Sequence, residues 1–560
     1  MSFYNDASLV FLPSSGAGKD GKAYSIKPRT GDGDFTFSRG SNLTATRIDS
    51  NGLIEKGREN LLLQSNQFDT TPWVTDGASV TSGQSGYDGS SDAWKLSGAG
   101  GSFPRVQQIK SVSGVATFSV YAKSGNVNVL RLLTISGSNT DTKFQLTGSG
   151  SILTQTGSER IESKITRLGS TDWYRCSITF NGSPTNFRIY PMSDSSTFAV
   201  DGEFIYIQDA QLEEGLVATE YIESGATTGL AGILEDSPRF DYSGGASCPS
   251  LLLEPSRTNL IEYSEYFEGS GWTAQAGITL TANTTETLSP EGLNNAYKVV
   301  STDATKGFYF SGLNITNAAV RTIYLKGSVG GETIVFKDPS GFGTPSTKTL
   351  TTDWQRFEMA TTNDGNSYQG LFIDDISVGT IYAYGAQVEE GSYPTSYIPN
   401  HSGGSVTRGA DSSNITSGLS IGNGSEFGLY YEIDVDAIPR NSSSPFIQIQ
   451  FTTANGGVGI KGASDAIANY IDLYGTTDFS KYFSARSMGN GIIKFFINYS
   501  SGTGDFYLNG TKYTGAISGS TSGCEIDSVY LLGSAYKLKA KQILIFPTAL
   551  SDAECITLTS

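Results

Sequence analysis

Short runs of alternating apolar and polar residues recur along the chain. Residues 116–121 and 322–325 are two such runs, and their apolar positions repeat with a period of two. That period is typical of a β-strand that buries one face. Gly, Ser and Asn separate the runs, as they do where antiparallel strands are joined by tight turns. The pattern predicts an all-β protein built from β-sandwiches.

One stretch of the sequence occurs twice. Residues 58–73 return as residues 257–272 with six of sixteen positions identical, and residues 210–222 return as residues 386–398 with eight of thirteen identical. Internal similarity of this kind indicates two copies of one module. We therefore expect two duplicated jelly-roll sandwiches, with a third sandwich after them.

The predicted organisation is three β-sandwiches in series behind a small extended segment. The boundaries are 1–57 for the N-terminal segment, 58–228 for the first jelly roll, 229–256 for a connecting segment, 257–400 for the second jelly roll, 401–425 for a linker and 426–560 for the third sandwich. In the third unit, Asn509 and Gly510 predict a hairpin turn. Residues 542–554 predict a strand followed by a short capped helix.

Aromatic residues are the first candidates for ligand contact. The five tryptophans lie at positions that align between the copies, which favours equivalent buried cores over sugar-stacking platforms. They are Trp73, Trp94, Trp173, Trp272 and Trp354. Trp94 aligns with Tyr297, and because the residue type changes there, these two are the candidate glycan-binding residues. A core position is the alternative for both.

Composition narrows the classes of partner. Of 560 residues, 55 are acidic and 38 are basic, the net charge is −17, and there is one histidine. An acidic chain without a basic run lacks the Lys and Arg that drive binding to nucleic-acid phosphates. No apolar stretch reaches 18 residues, so we expect no membrane insertion, and the N-terminus does not resemble a secretory signal. Cys176, Cys248, Cys524 and Cys555 predict free thiols in a reducing cytoplasm, with a Cys524–Cys555 bridge as the alternative.

Two motifs resemble catalytic or phosphate-binding signatures. Residues 16–21 match a glycine-rich phosphate loop, but Ala23 stands where a hydroxyl would be required. Residues 418–422 match a nucleophile elbow, yet the single histidine, His401, precedes them in a predicted linker. We therefore expect neither nucleotide binding nor a serine hydrolase that uses histidine as its base.

Acidic residues offer two further kinds of site. The pairs Glu213-Glu214 and Glu389-Glu390 cannot supply a facing acid and nucleophile, because neighbours on a strand point to opposite faces. Acidic side chains that are distant in the sequence can still meet in the folded chain, so cleavage of a polysaccharide stays open as an alternative. Residues 32–34 and 49–52 carry oxygen ligands of the kind calcium takes, although solvated turns are the favoured interpretation. We expect no cofactor, and dispersed cysteines with one histidine give no zinc site.

Several segments resemble signatures of modular structural proteins of tailed bacteriophages. The segments are residues 35–55, 238–242 and 248–260, together with AQLEEG at 210–215 and GAQVEEG at 385–391. In such proteins they introduce and close a jelly-roll domain similar to carbohydrate-binding modules. Residues 6–10 with Tyr24 resemble versions from phages of Bacteroidetes hosts, crAss-like phages included. Residues 549–554 resemble the end of concanavalin- or laminin-G-like sandwiches.

The resemblance implies a non-enzymatic fibre or decoration protein on the surface of a virion. Residues 1–57 would attach it to other virion proteins, and its sandwiches would bind a host-surface glycan. Such fibres are usually homotrimers, made in the bacterial cytoplasm and localised in the virion. Two alternatives stay open at this point, a glycan depolymerase tailspike and a purely architectural capsid or tail protein.

Overall fold

A computed structural model describes residues 3–13, 18–19, 21–40, 43–315, 317–337, 345–361, 369–422, 425–437, 447–451, 457–464, 469–476, 483–486, 491–518, 525–532 and 537–560. Within these ranges the chain forms forty-five β-strands and two short helices, α1 (Phe3–Asp6) and α2 (Asp552–Thr559). The prediction of an all-β protein is confirmed. None of the helices in these ranges is long and apolar enough to span a membrane.

The strands of the N-terminal segment and of the first module follow one another closely. The segment holds β1 (Leu9–Phe11), β2 (Gly18–Lys19), β3 (Lys22–Ala23), β4 (Phe35–Ser38), β5 (Thr46–Ile48) and β6 (Ile54–Lys56). The first module holds β7 (Arg58–Asn60), β8 (Val74–Asp76), β9 (Ala78–Gln84), β10 (Ala93–Gly98), β11 (Arg105–Ile109), β12 (Gly114–Ser124), β13 (Val129–Ile135), β14 (Thr140–Gln145), β15 (Ser151–Thr156), β16 (Arg160–Arg167), β17 (Trp173–Gly182), β18 (Asn186–Met192), β19 (Phe204–Glu214) and β20 (Gly229–Ala231).

The rest of the chain continues in the same manner. A connecting pair, β21 (Phe240–Asp241) and β22 (Ser250–Leu253), precedes the second module. That module holds β23 (Arg257–Asn259), β24 (Trp272–Ala274), β25 (Ile278–Thr281), β26 (Tyr297–Ser301), β27 (Phe308–Leu313), β28 (Ala319–Gly327), β29 (Thr333–Lys337), β30 (Ser346–Thr349), β31 (Gln355–Thr361), β32 (Gln369–Asp374), β33 (Gly379–Glu390) and β34 (Val406–Arg408). After it come β35 (Ser412–Ile415), β36 (Glu426–Ala437), β37 (Ile447–Phe451), β38 (Gly457–Ser464), β39 (Asn469–Thr476), β40 (Phe483–Arg486), β41 (Gly491–Ser500), β42 (Thr503–Leu508), β43 (Thr511–Ser518), β44 (Ile526–Leu532) and β45 (Lys537–Phe546).

The two modules share one topology. The sheets of the first module run β15-β14-β13-β18-β11-β8 and β16-β17-β12-β19-β10-β9. Those of the second run β30-β29-β32-β27-β24 and β31-β28-β33-β26-β25. Strand by strand the orders coincide, except that β15 and β16 add an edge strand to each sheet of the first module. Each pair of sheets encloses its own apolar core, so the duplication seen in the sequence is also a duplication of fold.

The third sandwich takes strands from separate parts of the chain. One sheet runs β21-β22-β45-β36-β41-β42-β43 with β1 also on β45, and the other runs β2-β3-β4-β35-β44-β37-β38-β39-β40. Leu9 of β1 lies opposite Ile545, and Leu251 of β22 lies opposite Ala540, with both leucines fully buried. The predicted attachment segment, connector and linker therefore all supply strands to this sandwich. Alternation along a segment identifies a strand but not its distant partner, so the sequence treats these pieces as separate.

Local details of the third sandwich follow the sequence closely. Asn509 and Gly510 both have positive φ, at 45° and 79°, as a type I′ hairpin turn requires. Helix α2 begins at a capping box, in which Ser551 N donates to Glu554 Oε2 at 2.9 Å and Ser551 Oγ accepts from Glu554 N at 3.4 Å. Both features were predicted from the residue types alone.

A cluster of buried charges joins the second module to the third sandwich. Arg239 Nη1 and Arg408 Nη1 each lie 2.8 Å from Glu254 Oε2, and Arg239 also pairs with Asp411. All four side chains are fully buried. Ser396 of the second module donates to Glu254 through its N at 2.7 Å and its Oγ at 2.6 Å. Burial alone would raise the pKa of Glu254, but the guanidinium groups of Arg408 and Arg239 hold it well below its usual range.

Removal of one member of this cluster should strongly destabilise the protein. In Asp411→Ala, Arg239 stays buried without one of its partners, and breaking a buried pair on one side costs about 3–5 kcal/mol. Asp76→Ala is the control, because it removes the half-exposed partner of Arg105 and should cost less than about 1 kcal/mol. Urea unfolding followed by tryptophan fluorescence measures both variants. Equal losses in the two variants would contradict a special role for the cluster.

Candidate functional site

The first module carries a row of aromatic and basic side chains across the outer face of one sheet. Neighbouring strands β17, β12, β19 and β10 place Trp173, Lys123, Tyr206 and Lys95 side by side, since Lys123 is in register with Trp173 and Tyr206, and Lys95 with Tyr206. The Lys123 Nζ atom lies 5.4 Å from the ring centre of Trp173 and 4.9 Å from that of Tyr206. These distances allow cation–π attraction. We call these four residues the first row.

Alternation along each strand creates this row. Along β12, Val120 and Ala122 point into the core, so the intervening Tyr121 and the following Lys123 point outward. The same rule turns Tyr206 outward beside the core residue Ile207. The row is therefore a direct product of the period-two pattern in the sequence.

The second module has an equivalent row. Its members are Trp354, Lys326, Tyr382 and Lys298, with Tyr382 in register with both lysines. The lysines and Trp354 hold the positions that the sequence repeat aligns with their counterparts in the first row. We call these residues the second row.

Three consecutive residues, Glu286, Thr287 and Leu288, cover the polar ends of the second row. Tyr382 OH donates to Glu286 Oε2 at 2.9 Å, Lys298 pairs with Glu286, Lys326 Nζ donates to Thr287 Oγ1 at 2.9 Å, and Trp354 Nε1 donates to Leu288 O at 2.8 Å. The second row is thus bonded within its own module.

The hairpin β5–β6 covers the neighbouring part of the same face. Ile54 is buried against Tyr384 and Tyr397, and Ile48 and Tyr324 pack around them. A cavity of about 250 Å³ remains beneath the hairpin. The outer face of the second module is therefore closed by the chain itself.

The first row has no such cover. In the described part of the chain, no hydrogen bond and no carboxylate within 4.0 Å engages Trp173 Nε1, Lys123 Nζ, Tyr206 OH or Lys95 Nζ. Lys123 and Tyr206, with Phe204, line an open groove of about 400 Å³. The first row accordingly presents the half-buried ring of Tyr206, packed beside the buried ring of Trp173, with free donors next to them. This row is the candidate site.

A second cavity and a stacked tyrosine pair adjoin the row. The cavity, of about 270 Å³, is lined by Tyr121 and Arg175. Tyr87 stacks on Tyr121 with 4.0 Å between ring centres, and its OH donates to Asp209 Oδ2 at 2.8 Å. Asp209 has φ +53°, where the equivalent Gly385 has φ +59°. Burial raises the pKa of Asp209 to about 7, although the hydrogen bond from Tyr87 acts in the opposite direction.

The structure moves the candidate glycan contacts away from Trp94 and Tyr297. Trp94 is 6% exposed in the first core and Tyr297 is fully buried in the second, so neither offers a ring face to a sugar. Of the five tryptophans expected in cores, Trp73, Trp94 and Trp272 lie in the two main cores. Trp173, 3% exposed, is buried in a separate cluster on the outer face of its sheet, and Trp354 is half-buried on the equivalent face. A Tyr-x-Lys and a Trp-x-Arg pattern, each on one face of a strand, are the signals that could have identified the row.

The acidic pairs close the modules instead of forming a catalytic pair. Glu213 is buried and accepts from Thr219 N at 2.9 Å and Thr219 Oγ1 at 2.6 Å, and Glu389 accepts from Thr395 N and Thr395 Oγ1, both at 2.7 Å. The repeated motif thus fastens the end of each module to its last long strand. Glu214 is exposed on the other side of its strand.

The other predicted motifs also have structural roles or lie outside the described residues. Asp34 Oδ1 accepts from Ser25 N at 2.9 Å across a loop, and Asp49 Oδ1 accepts from Leu53 N at 2.8 Å within a turn. In the described ranges no group of three or more His, Cys, Asp or Glu side chains is arranged for a metal ion. Three of the six residues of the phosphate-loop motif, 16, 17 and 20, lie outside the described residues, as does Cys524, whereas Cys555 is a buried free thiol.

The single histidine lies in a cavity between the modules. This cavity of about 300 Å³ is lined by Lys56, Arg58 and His401 among others. Lys56 Nζ lies 2.9 Å from Glu265 Oε1 and 2.5 Å from Glu291 Oε1, and His401 Nδ1 lies 4.0 Å from Glu265 Oε2. Burial lowers the pKa of His401 to about 4, against the opposing attraction of Glu265.

Comparison with known proteins identifies no family. No family model and no curated protein matches the chain. Among solved structures, the CBM22 tandem domain of Paenibacillus barcinonensis Xyn10C aligns with 60% of this chain and 98% of its own, at 11% identity and a TM-score of 0.19. A Trypanosoma rangeli sialidase aligns over 98% of both chains, at 9% identity and a TM-score of 0.20. A mutant of the GH43 protein BlXynB from Bacillus licheniformis aligns with 84% of this chain and 98% of its own, at 9% identity and a TM-score of 0.18.

These matches correct one expectation. The chain was expected to be non-enzymatic, and that expectation is wrong by this comparison, because sialidases and a GH43 protein are among the similar structures. Identities and TM-scores this low assign no reaction to the chain. No catalytic residue follows from them.

The buried histidine predicts a pH effect on stability. Between about pH 6.5 and 4 the unfolded chain binds a proton at His401 that the folded chain does not, so the free energy of unfolding should fall as the pH falls through this window. At 1.36 kcal/mol per pKa unit, the full loss is about 3 kcal/mol. Urea unfolding of the wild type and His401→Gln at pH 7 and pH 4 measures it. The variant should lose less stability on acidification, and parallel losses would rule the mechanism out.

Proposed function

We propose that the first row binds a glycan on the outer face of the first module. The observation that carries this proposal is the contrast between the rows, because the polar ends bonded in the second row are free in the first. An amphipathic ring such as Tyr206 offers an apolar face for a sugar ring and a hydroxyl for its oxygens. The adjoining groove gives an extended ligand room along the sheet.

We infer further that the chain is a surface component of a tailed-phage particle. The support is the motif resemblance of residues 35–55, 238–242, 248–260, 210–215 and 385–391. Because strands of residues 1–57 belong to the third sandwich, we assign attachment to the surface of that sandwich and glycan binding to the first module. A trimer would present three first rows, so that weak sites act together.

Substitution of the central ring should abolish most glycan affinity. Tyr206→Ala removes the stacking face and should weaken binding at least tenfold, or about 1.4 kcal/mol. Tyr382→Ala is the matched control, since Tyr382 is buried and its OH is bonded to Glu286, and it should bind as the wild type does. Affinity electrophoresis in gels containing xylan, galactan or polygalacturonate measures the three proteins. Equal mobility shifts for both variants, or no shift for the wild type in any gel, would contradict the proposal.

The particle assignment has its own test. Antibody fragments raised against the third sandwich face should label phage particles purified by density gradient from the source strain, and light scattering of the purified chain should give three times 59.5 kDa. A chain recovered only outside the particle fraction would contradict the virion role. A monomeric mass would contradict the trimer alone.

A further inference from the structure

The first row contains two lysines that no acidic group neutralises. Lys123 and Lys95 flank Tyr206 on the two neighbouring strands. In the described ranges, neither Nζ atom lies within 4.0 Å of a carboxylate oxygen, and their close contacts are the rings of Trp173, Tyr206 and Phe204. In the second row the equivalent Lys298 is paired with Glu286.

The charges around the row leave this pair of lysines available. Asp172, which lines the same groove as Lys123, pairs with Arg167 at 3.1 Å. In the neighbouring cavity, Glu162 accepts a hydrogen bond from Asn283 Nδ2 at 2.7 Å. The lysines therefore form a local cationic strip on a chain whose net charge is −17. Screening confines the wider negative field to about 8–10 Å at physiological salt, so the strip acts at contact distance.

The spacing of the lysines fits an extended anionic ligand. They are two strands apart, which is about 10 Å. That distance separates their backbone positions, and their ammonium groups lie over different rings, Lys123 Nζ over Tyr206 and Lys95 Nζ over Phe204. Successive acidic residues of an oligosaccharide can therefore each meet one ammonium group, with Tyr206 between them as the stacking surface.

We propose that the glycan bound by the first row is acidic, and that Lys123 and Lys95 bind its carboxylate groups. This inference rests on the proposed glycan function and names its substrate class. Uronic acids and sialic acids share the carboxylate that the lysines would recognise. One probe of each kind therefore shows which of these two acidic sugars the row binds.

Calorimetry with defined oligosaccharides tests the inference. The probes are oligogalacturonate and sialyllactose, each with an uncharged counterpart, methyl-esterified oligogalacturonate and lactose. We expect at least one acidic probe to bind at least tenfold more tightly than its counterpart, and to weaken as salt rises from 20 to 200 mM. Lys123→Gln and Lys95→Gln should each lose about tenfold, whereas the control Lys326→Gln, in the covered second row, should not.

The outcomes separate this inference from the proposed function. If the charged and uncharged probes bind equally, or if Lys123→Gln binds as the wild type does, the acidic-ligand inference is overturned. In that case Tyr206→Ala still decides whether the row binds neutral glycan. If the wild type binds none of the four probes, the inference is overturned as well, and the polysaccharide gels then decide the proposed function.

Discussion

Four buried charges between the second module and the third sandwich constrain the whole molecule. Arg239, Glu254, Arg408 and Asp411 come from distant parts of the chain, and Arg39 of the N-terminal segment lies 3.5 Å from Asp411. A buried charge without its partners costs several kcal/mol. The two carboxylates of the cluster have all their arginine partners only when the N-terminal segment, the connector and the linker are all in place. The cluster therefore couples the third sandwich to the second module.

The same cluster determines which module keeps an open outer face. Arg239 Nη1 donates to Thr46 O at 3.1 Å, and Thr46 Oγ1 donates to Tyr397 O at 2.6 Å. These bonds hold the hairpin β5–β6 on the outer face of the second module. The copy that packs against the third sandwich thus has its outer face closed, and the first module keeps the open one. Duplication followed by this unequal packing leaves the two copies of one fold with different surfaces.

The sequence predicts local structure here far better than it predicts long-range pairing. The repeat, the period of two, the turn at Asn509 and the cap at Ser551 all depend on neighbouring residues, and all appear in the structure. The pairing of β1 with β45 depends on residues more than five hundred positions apart, which alternation cannot encode. For the same reason the sequence did not reveal the first row. Trp173 and Trp94 both lie at positions that align between the copies, and only the strand register separates the outer face of Trp173 from the core of Trp94.

Two differences between the copies lie beside the open face. The second module has Gly385 at a position with positive φ, and the first has Asp209 there. A non-glycine residue in this conformation costs about 1–2 kcal/mol. The Asp209 carboxylate accepts a hydrogen bond from Tyr87, whose ring stacks on Tyr121, and these contacts offset that cost. They also hold Tyr87 of the loop 85–92 against Tyr121. This loop has eight residues between β9 and β10, whereas its counterpart between β25 and β26 has fifteen, of which residues 286–288 reach across the second row.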